Sequence, residues 1–342
     1  MPITRISGFV LARLTYFCVL IFLLTGLMNS LVSAHDLSVK FSNPDETSKM
    51  SKAWIERSVS YDAKLSARDI DIVMVLDQQT YPAFSKEIKE FAKNNNIKIE
   101  LTEGSCGVSA GGMADKRIDI GGYCCPPGQD DRLPGIEFHT IGIAPIALFV
   151  NKDNPINNVT HDEVKKIFSG EIFRWSGLKS SVENNVTDAP IQVVGRLHCR
   201  HRPGAWRLIL DNEEHFSAGL MEVGTIKDML LQIGNNKRAI GYEMRWMSKY
   251  HDKEDFIKPL KINSVSPDDS NALLSNKYPF YRTYSLAYWK KNKNKNANMN
   301  KLISYINKLT EEKTNEFGII PSSSLKKSGW IFRNNELIGE PG

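Results

Sequence analysis

From about residue 70, the sequence alternates between apolar runs typical of buried strands and helical or loop connections. Strands joined by such connections pair in parallel, and the connections then cover the faces of the sheet. The sequence therefore predicts an α/β fold that opens with a doubly wound lobe. The alternation consists of a strand at Ile70–Leu76, a helix at Ala83–Asn94 opened by Thr80-Tyr81-Pro82, a strand at Ile97–Leu101, a glycine-rich loop at Gly104–Gly112, a turn at Met113–Lys116 and a strand at Ile118–Ile120.

Two further strand patterns predict a second lobe. The apolar run His139–Val150 is long enough to leave one lobe and enter another, and Tyr284–Trp289 can return the chain to the first. Between them, Thr160 and Glu163 have the spacing of a capping box, for a helix that Gly170 stops. Shorter patterns predict strands at Ile191–Val194 and Ala239–Tyr242 and helices at Pro203–Leu210 and Leu302–Leu309.

The N-terminus has the pattern of a secretory signal peptide. Arg5 and Arg13 precede the apolar run Leu14–Leu24, and Val32-Ser33-Ala34 fits the small-x-small cleavage rule, so that His35 would begin the mature chain. An uncleaved membrane anchor is the alternative. We expect cleavage and export to the periplasm, with residues 1–34 as signal peptide, 35–66 as a leader, 67–147 and 285–342 as lobe I, and 148–284 as lobe II.

The charge balance argues against a nucleic-acid partner. The chain has 44 basic and 39 acidic residues, for a formal charge of +5. Loss of the signal peptide removes two arginines and no acid, which lowers the charge to +3. Domains that bind nucleic acids concentrate basic charge far more strongly. Cleavage also removes Cys18 and leaves four cysteines, which in an oxidising compartment are expected to form disulfides: Cys106, Cys124, Cys125 and Cys199.

The glycine-rich segment has two functional interpretations. Residues 107–111 match the G-x-S-x-G pattern, which would make Ser109 the nucleophile of an α/β hydrolase. That interpretation needs a strand directly before the pattern and a late histidine, whereas the preceding residues are polar and the last histidine is His251. Alternatively, backbone N–H groups and serine hydroxyls cradle an anion beside a helix N-terminus. A turn that binds nothing is the third interpretation.

A basic turn directly follows the strand at Ile191–Val194. Residues 196–204 contain three arginines and two histidines: Arg196, Arg200, Arg202, His198 and His201. Arginine offers a planar fork for oxyanions, and ligands gather at the ends of strands in α/β folds. A solvated basic turn is the alternative.

The run from Thr80 to Trp289 resembles the periplasmic phosphate-binding proteins, the receptors of ABC phosphate importers. The resemblance implies a two-lobed periplasmic-binding-protein fold of type II, with a doubly wound mixed sheet in each lobe and two crossover strands. It rests on Thr80-Tyr81-Pro82, Ser109-Ala110-Gly111-Gly112-Met113 with Ile118-Asp119-Ile120-Gly121, Val150–Pro155, Ile167–Gly170 with Arg174-Trp175-Ser176, Ala239–Tyr242 and Tyr278–Arg282.

The resemblance also implies a ligand site in the cleft between the lobes. Two departures from the family pattern bear on its specificity: Cys124 or Cys125 stands where the family has an aspartate, and Pro203-Gly204-Ala205 replaces a Ser-Gly-Thr helix start. Specificity for dihydrogen phosphate is therefore not carried over. The ligand-binding residues expected from the resemblance are Thr80, Tyr81, Ser105, Ser109, Arg196, Arg200, Arg202 and Gly204.

The favoured interpretation is a monomeric binding protein without catalytic activity or cofactor. It would capture phosphate or a related small oxyanion and present it to an ABC permease or a membrane sensor. One alternative is a soft-metal or metalloid site in the same cleft, formed by the cysteines with His198 and His201. A disulfide from Cys106 to Cys124 or Cys125 competes with that alternative, and a hydrolase at Ser109 is the third.

Overall fold

The computed structural model describes residues 40–179, 188–199, 202–252, 255–291 and 296–342. The predicted signal peptide, Arg200 and His201 lie outside the described residues. Among the helices that are described, none combines the length and apolar character needed to cross a bilayer.

Strands occur along the whole described chain, and most of them join one mixed sheet. Their bounds are β1 (Ile72–Asp77), β2 (Ile99–Gly104), β3 (Ile120–Tyr123), β4 (Ile136–Asn151), β5 (Asn158–Val159), β6 (Gln192–Gly195), β7 (Met221–Glu222), β8 (Ala239–Met244), β9 (Ile257–Pro259), β10 (Lys261–Ile262), β11 (Tyr281–Trp289), β12 (Ile320–Pro321), β13 (Ile331–Arg333) and β14 (Glu336–Gly339).

The large sheet has the order β2-β1-β3-β11-β4-β8-β6-β7, with β9 and β12 also paired to β4. Strands β1, β2 and β3 are parallel, as are β6, β7 and β8, whereas β4 and β11 are antiparallel to their neighbours. The carboxyl ends of β1, β2 and β3 therefore lie at one edge of the first half of the sheet, and the second half has its own parallel group.

Strand β4 connects the two halves. Its residues Ile136–Pro145 pair with β11, and Ile146–Val150 pair with β8. All but the first two of its residues are buried, because helices and other strands cover both of its faces along this length. This confirms the prediction that the apolar run His139–Val150 leaves one lobe and enters another.

Helices connect the strands and cover the sheet. The α-helices are α1 (Lys52–Glu56), α2 (Ala63–Ser66), α3 (Thr80–Asn94), α4 (Cys106–Ala114), α5 (His161–Ser169), α6 (Ile226–Asn235), α7 (Arg245–His251), α8 (Ser270–Leu274), α9 (Ala297–Glu312), α10 (Thr314–Phe317) and α11 (Ser322–Lys327). Short 3₁₀ turns occur at Gln129–Asp131, Trp175–Gly177, Ala205–Leu208 and Glu213–His215.

Local sequence signals set several of these bounds. The predicted capping box of α5 is present, since Thr160 accepts a hydrogen bond from the Glu163 amide and the Glu163 carboxylate accepts one from Thr160 N. Gly170 ends the helix with a φ of 85°, a left-handed conformation that favours glycine. The sequence thus predicts the start and end of α5 correctly.

Two predicted elements are wrong. The glycine-rich segment is not a loop with a short turn but the helix α4, which Ser105 caps by accepting a hydrogen bond from Val108 N. The helix predicted at Pro203–Leu210 is only the 3₁₀ turn Ala205–Leu208. Glycine's low helix propensity misled the first prediction, because packing against the sheet outweighs it.

Candidate functional site

The ends of the first three parallel strands bring polar groups to one edge of the sheet. Asp77 ends β1, and its carboxylate accepts hydrogen bonds from the Thr80 hydroxyl (2.5 Å) and from the amides of Gln79 and Thr80 (2.9 and 3.2 Å). Burial raises the pKa of Asp77, while the hydrogen bond from Thr80 opposes that rise. The Cys124 side chain also hydrogen-bonds to this carboxylate. Asp77 was not predicted as a site residue, although its position directly after a buried strand was a usable signal.

Four cysteines form a compact cluster at this edge. Cys106 is the first residue of α4, Cys124 and Cys125 follow β3, and Cys199 follows β6. The sulfur atoms of Cys106 and Cys124 are 3.2 Å apart, and those of Cys106, Cys125 and Cys199 all lie within 4.8 Å of one another. All four are free thiols in this structure, so the expected disulfides are not formed here. The cluster combines residues from both halves of the sheet.

The cluster keeps its thiols protonated. Hydrogen bonding with Cys106 raises the pKa of Cys124 well above its ordinary value and that of Cys199 to about 12. The pKa of Cys106 is raised as well, because the hydrogen bond with Cys125 and burial outweigh the lowering effect of those with Cys124 and Cys199. The pKa of Cys125 is raised well above its ordinary value, because hydrogen bonds with Cys124 and Cys199 and burial outweigh the lowering effect of the one with Cys106. Neutral thiols are the expected result, since a thiolate is costly in a buried site.

Further contacts join the two halves around the cluster. Gln79, after β1, donates a hydrogen bond of 3.4 Å to Glu243 at the end of β8. Arg202 forms a bidentate pair with Asp131, with distances of 2.5 and 2.6 Å. Polar contacts thus join the two halves of the sheet at the edge where the resemblance implied a cleft.

Arg196 is already neutralised by a partner. Its guanidinium is 2.7 Å from the Glu243 carboxylate, and the two side chains are only 6% and 5% exposed. The Tyr242 hydroxyl accepts a hydrogen bond from Arg196 N and donates one to Arg196 O. The structure therefore holds Arg196 in an internal ion pair, which the sequence did not indicate because the partners are far apart in the chain.

Arg282 is a second buried arginine at this edge, and it was not among the predicted site residues. It is 1% exposed, at the start of β11, and donates a hydrogen bond to Gly204 O. Burial lowers its pKa to about 10, opposed by the nearby thiols of Cys125 and Cys199. The signal was present, since Arg282 lies inside a segment on which the family resemblance rests.

The predicted hydroxyl ligands lie near the same edge but differ in their contacts. Thr80 is buried and donates to Asp77, and Ser109 is buried and donates to Val75 O at 3.3 Å. Ser105 is exposed and caps α4. Tyr81 is partly buried, and its hydroxyl accepts a hydrogen bond from Lys89. Ser109 lies in the body of α4 rather than on a strand–helix elbow, which removes the geometry that a hydrolase requires.

His198 is neutral in this environment. Burial, together with the nearby Arg196 guanidinium, lowers its pKa to about 4. Its Nδ1 lies 3.1 Å from Arg196 O, and its carbonyl accepts a hydrogen bond of 2.6 Å from the Trp206 indole. These contacts orient the turn that leads to Cys199. The metal-cluster geometry found in the described residues contains three cysteines and not His198.

A cavity of about 390 Å³ that shares no residue with the cysteine edge is lined by several basic side chains. Lys40, His161, Lys165 and Arg207 line it, together with Asp211. It contains none of the predicted ligand residues. Its lysines therefore provide controls for experiments on the cysteine edge.

Comparisons with known proteins agree on the fold family. The model of the PBP superfamily domain matches residues 63–308. Phosphate-binding protein PstS 2 of Streptococcus agalactiae is 26% identical over 127 residues, which are 36% of this chain and 42% of that protein. Protein SphX of Synechococcus elongatus is 23% identical over 295 residues, which are 76% of this chain and 83% of that protein. The chain thus spans less than half the length of the first relative and most of the second.

A solved structure from Clostridium perfringens, described as a phosphate ABC transporter substrate-binding protein with bound phosphate, has the same fold. Its TM-score is 0.61 at 20% sequence identity, and the match covers 73% of this chain and 98% of that one. The large mixed sheet and its covering helices correspond to such two-lobed structures. The chain belongs to the PBP superfamily.

Proposed function

We propose that this chain is an exported substrate-binding protein that captures a small oxyanion, phosphate or a related one, between two lobes. Lobe I would consist of residues 67–147 and 285–342, and lobe II of residues 148–284. The bound form would be recognised by a membrane permease or sensor, and the protein itself would be a monomer that catalyses no reaction. Export would use residues 1–34 as a cleaved signal peptide.

One observation supports this function above the others. Residues from both halves of the sheet meet at a single edge, around a fully buried arginine. Cys106 and Cys199 approach one another across this edge, and Arg282 reaches from β11 to Gly204 in the second half. A site assembled from both halves exists only in the closed conformation. Ligand binding and closure would therefore be coupled, which is what a transport receptor needs.

The local chemistry suits an oxyanion. Arg282 supplies the buried positive charge, and Cys106 begins a nine-residue helix whose N-terminal N–H groups favour an anion. Neutral thiols add weak donors rather than negative charge. Arg196 and Arg202 would contribute indirectly, because their ion pairs hold the turn that follows β6 in place. The hydroxyl groups near this edge are those of Thr80, Tyr81, Ser105 and Ser109.

The test is a calorimetric titration of the mature protein with phosphate, arsenate, sulfate and nitrate. We expect saturable 1:1 binding of at least one of them. Arg282→Met should weaken that binding at least about tenfold, since it removes a buried charge-assisted contact. Lys165→Met, in the separate cationic cavity, is the matched control and should leave the affinity unchanged.

Two results would contradict the proposal. One is the absence of binding by every anion in the panel to a protein that is folded by circular dichroism. The other is loss of binding in Lys165→Met with retention in Arg282→Met, which would move the site to the other cavity.

A further inference from the structure

We propose that Cys106, Cys125 and Cys199 form a three-thiol site for a trivalent metalloid hydroxide, such as arsenous acid. The inference rests on the proposed function, because it names a class of oxyacid for the same cleft. It differs from phosphate capture in that the ligand atom bonds directly to sulfur.

The sulfur geometry matches three-coordinate binding. The three sulfur atoms lie within 4.8 Å of one another, in the one group of this kind found among the described residues. A pyramidal trivalent arsenic atom with bonds to sulfur of about 2.3 Å, as in thiolate sites, sets neighbouring sulfur atoms roughly 3.4 Å apart. The three side chains therefore need only small adjustments to bond to one atom.

The number of ligands favours a metalloid over zinc. Structural zinc is almost always bound by four ligands in a tetrahedron. The fourth cysteine, Cys124, contacts the Cys106 sulfur at 3.2 Å and hydrogen-bonds to Asp77, but it lies outside the group of three. Trivalent arsenic forms three bonds and needs no fourth ligand.

Charge favours a neutral ligand. Cys106 and Cys125 are only 2% and 1% exposed, and burial disfavours thiolates. A divalent soft cation bound by three thiolates would release three protons and leave one net negative charge in this buried position, near Arg202 and Arg282. With arsenous acid, three S–H groups and three As–OH groups exchange for three As–S bonds, and each thiol proton leaves with a hydroxyl group as water. The reaction changes no oxidation state and buries no charge.

The third thiol is placed by an uncommon backbone conformation. Cys199 has a φ of 58°, in the left-handed region that residues other than glycine seldom occupy. It is partly exposed, whereas Cys106 and Cys125 are buried. Cys199 therefore offers the entry point, and it belongs to the half of the sheet opposite to the other two. Bonds to all three sulfur atoms would fasten the closed conformation.

The test uses the mature protein, reduced and freed of reductant, and sodium arsenite as the probe. We expect one arsenic per chain, loss of three of the four titratable thiols on binding, and near-ultraviolet absorption from As–S bonds. Cys199→Ser should weaken binding at least about a hundredfold. Lys165→Met, whose side chain lines a cavity without any of the cysteines, is the control and should retain the affinity, and Cys124→Ser, which removes a thiol in contact with Cys106 but outside the group of three, should weaken binding much less than Cys199→Ser.

Several outcomes would overturn the inference. These are stoichiometric binding of Zn²⁺ or Cu⁺ by all four thiols in preference to arsenite, equal loss of arsenite binding in Cys124→Ser and Cys199→Ser, or no arsenite binding by fully reduced, folded protein. Titration of the same samples with phosphate separates the two proposals. Phosphate binding without arsenite binding would refute only this inference, whereas arsenite binding retained in Arg282→Met would support the thiol site independently of the arginine.

Discussion

The buried ion pair between Arg196 and Glu243 offers a sharp test of how the site is built. Glu243→Gln keeps the shape of the side chain and its acceptor for Met244 N, which is 2.9 Å from Oε1, but it removes the charge. The Arg196 guanidinium would then be a buried cation without its 2.7 Å partner. Loss of one member of such a pair typically costs 3–5 kcal/mol, so we expect a destabilisation of about 4 kcal/mol.

The assay is urea unfolding followed by intrinsic fluorescence, with the free energy of unfolding compared at an unchanged m value. The double variant Arg196→Met/Glu243→Met should recover most of the loss, because no charge then remains buried. Asp153→Asn is the control. It breaks a pair with Lys237 of the same 2.7 Å length, but those side chains are 52% and 73% exposed, so the unfolding midpoint should not move. If Glu243→Gln costs no more than Asp153→Asn, Arg196 does not depend on Glu243 and is available to a ligand.

Three other predictions concern the scaffold. Burial lowers the pKa of His161, so the unfolded chain takes up a proton at this residue before the folded protein does as the pH falls below about 6.5. The free energy of unfolding should therefore decrease below that pH. His161→Gln should reduce this decrease in a pH series of urea unfolding midpoints. Gly142→Ala should destabilise by about 2 kcal/mol in urea unfolding, since a Cβ would lie 2.5 Å from the Ile320 carbonyl oxygen; an unchanged midpoint would disprove that close contact. Thr160→Ala should lower the free energy of unfolding by about 1 kcal/mol, because the Glu163 amide loses its hydrogen bond to the Thr160 hydroxyl. Thr160→Ser keeps a hydroxyl at this position and should retain most of that stability.

Much of the scaffold could be predicted because its signals are local. The buried run that became β1 differs from its prediction by one or two residues at each end, and α5 has the predicted cap and stop signals. The long strand β4 was predictable because both of its faces are covered and its residues are apolar almost throughout. Each of these conclusions needs only residues that are neighbours in the chain.

The helix α4 was missed because its stability depends on distant residues. A Cβ on Gly112 would approach the Ile118 side chain at 3.0 Å, and one on Gly121 would approach Ser109 Cβ at 3.1 Å. The glycines allow the helix to lie close against the sheet, which outweighs their low helix propensity. From its glycine content alone, this segment was expected to form a loop.

The site residues were only partly predictable for the same reason. The family resemblance implied that the four cysteines and the basic turn face the same cleft, and the structure brings the sulfur atoms of Cys106, Cys125 and Cys199 within 4.8 Å of one another. The sequence could not indicate that Arg196 is paired with Glu243, because the two residues are far apart in the chain and no local pattern connects them. In the proposed site, Arg282 takes the role that was predicted for Arg196, and its burial follows from its position at the junction of the two halves.

The proposed function requires that an oxyanion binds at the edge where both halves of the sheet meet. A crystal structure of the mature protein grown with phosphate, or with whichever anion binds most tightly, measures this directly. We predict one anion within hydrogen-bonding distance of Arg282, in contact with residues that follow β3 and residues that follow β6. An anion found only in the cavity lined by Lys165 and Arg207, or no bound anion at saturating concentration, would contradict the account.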